Sequence, residues 1–154
     1  MYRSFMVELP DWSPRPDAAD RRSSSLALCR AVLKVRNELT VPHVREALKL
    51  AVWKYTECDG KYTGRYRSEN ALFQPNTLVH HEHVFTIRSL VDQMLDTPAR
   101  AERILSSAIG CVVLRSEHKM LGEVEKANPA VTGWDRYQLA GIRVWDLAER
   151  RRVV

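Results

Sequence analysis

The chain has 154 residues, 45% of them hydrophobic and 28% charged, a size and balance that suit one folded domain with one core. No apolar run approaches the roughly 18 residues of a membrane helix, and the first six residues lack the long apolar stretch of a signal peptide, so no membrane partner and a cytoplasmic location are expected. The net charge is +5 and 18 of the 24 basic residues are Arg, whose forked guanidinium suits phosphate and makes nucleic acid a natural partner class.

Residues 1–25 open the chain as an irregular arm, rich in Pro, Asp, Arg and Ser, with Arg21-Arg22 at its end. A single α+β domain is expected over residues 26–154. Its first part, residues 26–58, reads as a helical hairpin. Leu28, Val32, Val35 and Leu39 recur with helical spacing, Thr40 and Pro42 mark a restart, and Val44, Leu48, Ala51 and Tyr55 form the second face. Asp59-Gly60 stops that helix. Residues 59–70 read as a loop in which Lys61, Arg65 and Arg67 alternate with Tyr62 and Tyr66, a pattern suited to a phosphate backbone and a stacked base. A short helix should begin at Ser68.

A strand is expected over residues 78–84. Ile87, Leu90, Val91 and Met94 then form a helical face, Thr97-Pro98 caps another helix, and Gly110 should end it. Cys111-Val112-Val113-Leu114 reads as a short buried strand, with Cys111 a small core residue, and Ser116 should cap a helix bearing His118. Trp134 and Tyr137 fall on a short helix closed by Gly141, Ile142 to Trp145 alternates like an edge strand, and Arg150-Arg151-Arg152 is a basic terminus. The expected fold is therefore α+β and predominantly helical, with a small element of two or three strands.

Chemistry concentrates at His80-His81-Glu82-His83. Imidazoles and a carboxylate this close are the ingredients of a metal or general-base site. Strand alternation puts His81 and His83 on one face and His80 and Glu82 on the other. The four converge only if the strand ends at Glu82-His83 and the next turn re-aims the side chains. His118 is the candidate to complete the site from another element. A purely structural role for these histidines fits the same residues. The three cysteines form no C-x-x-C pair, and neither a Gly-rich phosphate loop nor a G-x-S-x-G elbow occurs.

The segments 78–84 and 111–119 together resemble the HNH (His-Me finger) endonucleases, whose unit is a β-hairpin and helix around one divalent metal. The resemblance spans about residues 78–121. It implies that His83 is the general base, that Glu82 and His118, with His81 as a further candidate, hold a divalent ion (Mg, Mn or Zn), and that Lys61, Arg65, Arg67 and Arg115 bind DNA. The chain differs from the family pattern at Thr86, where a proline is common, and at Gly122, where a second His or Asn is common. It also carries two helices between the strands. The function expected on this basis is a divergent HNH-like nuclease, or a nuclease-derived nucleic-acid-binding protein, of bacterial or phage origin. The alternative is a non-catalytic phage- or defence-related protein that modulates a host protein, with Trp134, Tyr137 and Trp145 as interface anchors.

Overall fold

A computed structural model describes residues 7–154; the first six residues, on which the signal-peptide reading falls, lie outside the described residues. The fold is α+β. Its elements are α1 (Ala18–Lys34), α2 (Val41–Thr56), β1 (Tyr66–Ser68), β2 (Val79–His83), α3 (Ile87–Asp96), α4 (Ala101–Ser106), β3 (Gly110–Leu114), α5 (Arg115–Ala127), α6 (Trp134–Leu139), β4 (Val144–Asp146) and β5 (Arg151–Arg152).

The strands form one mixed sheet in the order β2-β3-β1-β4-β5. This is more than the two or three strands expected. β1 lies in what the sequence presents as a basic loop, because three residues are too few for a period-2 pattern to register. The basic terminus supplies β5, which makes β4 an inner strand rather than an edge. β3 pairs antiparallel with β2 and parallel with β1.

The first four helices pack on one another around a core of Cys29 and Val32 of α1, Leu48, Ala51 and Val52 of α2, Leu90, Val91 and Met94 of α3 and Leu105 of α4, and the end of α2 lies against one face of the sheet at β2. Each fully buried Leu or Val there contributes about 1.5–3 kcal/mol of transfer free energy. The α2 and α3 stripes are those expected from spacing. The α1 stripe is so only in part: Val32 points inward and Leu28 packs on the core edge as expected, but Ser25 and Cys29 are the other buried positions, and Val35 and Leu39 stay exposed beyond the helix end at Lys34. On the other face Cys111, Val113 and Val144 pack with Leu121 of α5 and Tyr137 of α6.

The N-terminal segment is tied down along its described length. Leu9 and Trp12 pack on Leu72 and Leu147, the Trp12 indole donates to the Thr63 carbonyl, and the helix begins at Ala18 rather than near residue 25. Arg21 and Arg22 pair with Asp17 and Asp59 on or beside α1. Gly110 opens β3 instead of closing α4. Among the described residues, no helix is long and apolar enough to cross a membrane.

Candidate metal centre

β2 runs regularly against β3 through its last residue, with His81 opposite Val112, Glu82 opposite Cys111 and His83 opposite Gly110. Regular pairing preserves alternation, so His80 and Glu82 face α5 and α6, while His81 and His83 face α2.

α5 follows β3 without a loop, and Glu117 fixes its first turn. The buried Glu117 carboxylate accepts the Leu114 backbone N–H at 2.9 Å, the Ser68 hydroxyl at 2.5 Å and the Asn70 amide at 3.0 Å. Glu117 thus satisfies one of the free N–H groups of the helix start, the role expected of Ser116. The next residue, His118, then lies over β2. Its Nδ1 is hydrogen-bonded to Glu82 Oε2, and its ring stacks on that of His80 with centroids 3.9 Å apart and planes 26° apart. One donor atom from each of His80, Glu82 and His118 lies within 4.8 Å of the other two.

Arg136 backs this cluster from α6. It is 2% exposed, and its Nη2 donates to Glu82 Oε1 at 3.2 Å and to the His83 carbonyl at 2.6 Å. Gly133 lets the chain enter α6 at φ +64°, with the Phe85 ring 3.0 Å from where a Cβ would stand. A buried carboxylate needs a compensating cation, and Arg136 supplies it while occupying only one oxygen of Glu82. The other oxygen faces His118. Burial and the neighbouring His118 push His80 below the ordinary imidazole range, which keeps its ring a neutral donor. Two imidazoles and one carboxylate oriented by a buried cation fit a divalent ion bound by three protein donors, with positions left for solvent or substrate. The cluster opens into a cleft of about 240 Å³, which Trp53, His83 and Ile87 also line.

The opposite face of β2 is closed. His81 Nε2 and His83 Nε2 lie 3.1 and 3.0 Å from one atom, Oγ1 of Thr56, and His81 Nδ1 lies 3.1 Å from the Lys61 carbonyl. The Trp53 ring packs edge-on to His83 at 4.5 Å. Burial holds His81 down to about 4 and His83 to about 3, so both are neutral at ordinary pH. Gly110 makes room for this packing, since a Cβ there would stand 2.4 Å from His81 Cε1.

Of the expected ligands, Glu82 and His118 come together, and the third donor is His80 rather than His81, because the strand does not break at Glu82. His81 has both ring nitrogens in protein hydrogen bonds and none left for a metal. His83 lies outside the three-donor cluster, although its ring borders the same cleft.

The basic residues divide as well. Arg65 forks onto the buried Asp146 carboxylate at 2.8 and 2.6 Å. Arg67 donates to the carbonyls of Ala71, Tyr62 and Gln74. Both are spent on the fold, which the alternation of basic and aromatic residues did not reveal. Lys61 and Arg115 are exposed and close enough to His80 to lower its proton affinity. Among the aromatic anchors, Tyr137 is fully buried, Trp145 is half-buried with its indole on Glu69, and Trp134 packs against Tyr66 and Tyr137. Burial pushes the Cys111 thiol far up, which leaves it inert.

Arg136 and Thr56 carried no signal in the sequence, since each reaches the site through tertiary contacts alone. His80 did carry one: alternation pairs it with Glu82. No family model matches the chain, and neither does any curated protein or solved structure.

Proposed function

We propose that the chain is a divergent HNH-like, metal-dependent nuclease in which His80, Glu82 and His118 hold one divalent cation. The observation that carries this reading is the convergence of those three donors from β2 and α5, beside a buried arginine that orients the carboxylate. The order of elements supports it too: an antiparallel strand pair runs directly into the helix that bears His118. A bound divalent ion would supply an activated water and a counter-charge for the phosphate.

The chain's own groups divide the remaining work. Arg136 holds the Glu82 carboxylate in place through Oε1. Lys61 and Arg115 flank His80 and offer exposed positive charge to a phosphodiester backbone, and DNA is the polyanion proposed. His83, neutral and bordering the cleft, is the candidate base. The rival reading, a docking protein without catalysis, draws no support from Tyr137, whose side chain is fully buried.

The test is calorimetric titration of the metal-free protein with Mg²⁺, Mn²⁺ and Zn²⁺, paired with cleavage of plasmid DNA, single strands and RNA. Wild type should bind one equivalent of at least one ion and cut at least one substrate. His80→Ala and His118→Ala should lose both properties and remain folded. Absence of ion binding by wild type would sink the reading.

A further inference from the structure

The histidines on the closed face of β2 are linked through a single hydroxyl, and that constrains where their protons sit. The Lys61 carbonyl can only accept, so His81 Nδ1, 3.1 Å away, must carry the hydrogen. His81 is 1% exposed and no carboxylate is bonded to it, so its ring carries one proton and Nε2 is left as an acceptor. Among the described residues the group within reach of that nitrogen is Thr56 Oγ1, at 3.1 Å, whose proton can go to it or to the Val52 and Trp53 carbonyls, each 3.2 Å from Oγ1. A hydroxyl has one proton. With that proton given to His81 or to either carbonyl, Thr56 Oγ1 can only accept from His83 Nε2, at 3.0 Å. His83 thus has its hydrogen on Nε2. Its Nδ1 makes no hydrogen bond among the described residues, and the ring borders the cleft that contains His80, Glu82 and His118.

We infer that Thr56, its proton drawn to His81 or to the α2 carbonyls, is a positioning residue that fixes His83 as the Nε2–H tautomer, with the bare lone pair of Nδ1 kept available to the cleft. The inference rests on the nuclease reading for its purpose, though not for its geometry. In that reaction Nδ1 takes the proton of the attacking water, and the hydroxide oxygen bonds to phosphorus. The leaving oxygen departs with the P–O bonding pair and is protonated by solvent. The positive charge formed on His83 is shared along Nε2–H to Thr56. Without the Thr56 hydroxyl the ring has no reason to keep its proton on Nε2, and a proton on Nδ1 would block the base. Trp53, packed edge-on to His83, holds the ring plane.

Long-range ¹H–¹⁵N spectra of the metal-free protein at neutral pH read the tautomers directly. Wild type and Thr56→Ser should show His81 protonated on Nδ1 and His83 on Nε2. Thr56→Val should lose the fixed pattern at His83. With plasmid DNA and the ion that wild type binds, its kcat should fall about ten-fold or more, with KM and cation affinity unchanged, while Thr56→Ser retains wild-type turnover. A merely structural threonine would move neither the nitrogen shifts nor kcat separately from stability. His83 protonated on Nδ1 in wild type overturns the inference, as does a Thr56→Val protein with unchanged tautomers. If Thr56→Val does not fold, the wild-type and Thr56→Ser spectra decide. A wild type that cuts no phosphodiester defeats the nuclease reading, and the nitrogen shifts still settle the tautomers.

Discussion

On one face of β2, His80 and Glu82 meet His118 beside an open cleft; on the other, one residue along, His81 and His83 are buried against α2 around the Thr56 hydroxyl and reach that cleft only at its border. The residue type is the same and the surroundings differ. On the open face a carboxylate faces two imidazoles, and a buried guanidinium bonds to that carboxylate from behind. On the closed face no acid is within bonding distance, so burial dominates, with the neighbouring imidazoles adding to it, and both rings are held neutral. A histidine's chemistry here depends on which way the strand turns it and not on the residues beside it in sequence.

Acid should expose this difference most strongly. The folded-state values of His81 and His83 are depressed below 6.5, so the unfolded chain binds protons that the folded chain refuses. Stability is therefore intact above about pH 6.5 and is lost as pH falls toward the folded values near 4 and 3. Each ring removes up to about 1.4 kcal/mol per pH unit in that window. Denaturant titrations across the window, with chelator present, should show a shallower loss in His83→Gln than in wild type. Equal slopes would show that the closed face does not hold His83 neutral.

Removing the cation from the open face should cost nearly as much. Arg136→Met leaves the Glu82 carboxylate buried without its partner, and a loss of about 3–5 kcal/mol is expected in chemical unfolding. Adding Glu82→Gln in that background should recover part of the loss, because the charge that needed compensation is gone. No recovery would mean that Arg136 matters mainly through its bonds to the His83 and Val84 carbonyls.

Gly110→Ala probes the closed face by volume. The new methyl would meet His81, whose ring is hemmed in by Thr56, Trp53 and the Lys61 carbonyl, so a loss of about 1–3 kcal/mol is expected. An unchanged melting temperature would show that this packing yields easily.

The smallest change in stability should come from His118→Ala. Its side chain is 47% exposed, and an exposed ion pair contributes at most about 1 kcal/mol. Its functional effect should be far larger. Loss of an orienting partner alone typically costs 10–100-fold in metal affinity, so loss of a ligand should weaken divalent-ion binding at least about ten-fold. Stability and metal affinity thus respond in opposite order on the two faces, and a variant that moved both together would break the distinction.

How much of this could be read from the sequence follows from which interactions are local. The α2 and α3 stripes were legible because Val44, Leu48 and Ala51, like Leu90, Val91 and Met94, repeat at the helical period. The α1 stripe was legible at Val32 and Leu28 and missed at Ser25 and Cys29, which are buried although less apolar than Val35 and Leu39. The alternation of β2 was legible too, and by itself it separated His80 and Glu82 from His81 and His83. The sequence did not say whether the strand would continue through His83. The ladder to β3 decided that, since pairing His83 with Gly110 holds the strand straight.

The sequence by itself determined the helices, the strand bearing the histidines and the candidacy of His118. Helical and strand periods are properties of neighbouring residues, so a single chain records them. Only the tertiary structure decided which histidines share a carboxylate, that Arg136 from α6 is its counter-ion, that Arg65 and Arg67 serve the fold, and that Thr56 joins His81 to His83. Apart from those of Arg67, which reach carbonyls 4 to 7 residues away, those contacts link residues 25 to 81 positions apart, such as Thr56 with His81 and Arg65 with Asp146. Each is fixed by how helices pack on the two sides of a sheet, and no local pattern of charge or hydropathy encodes that.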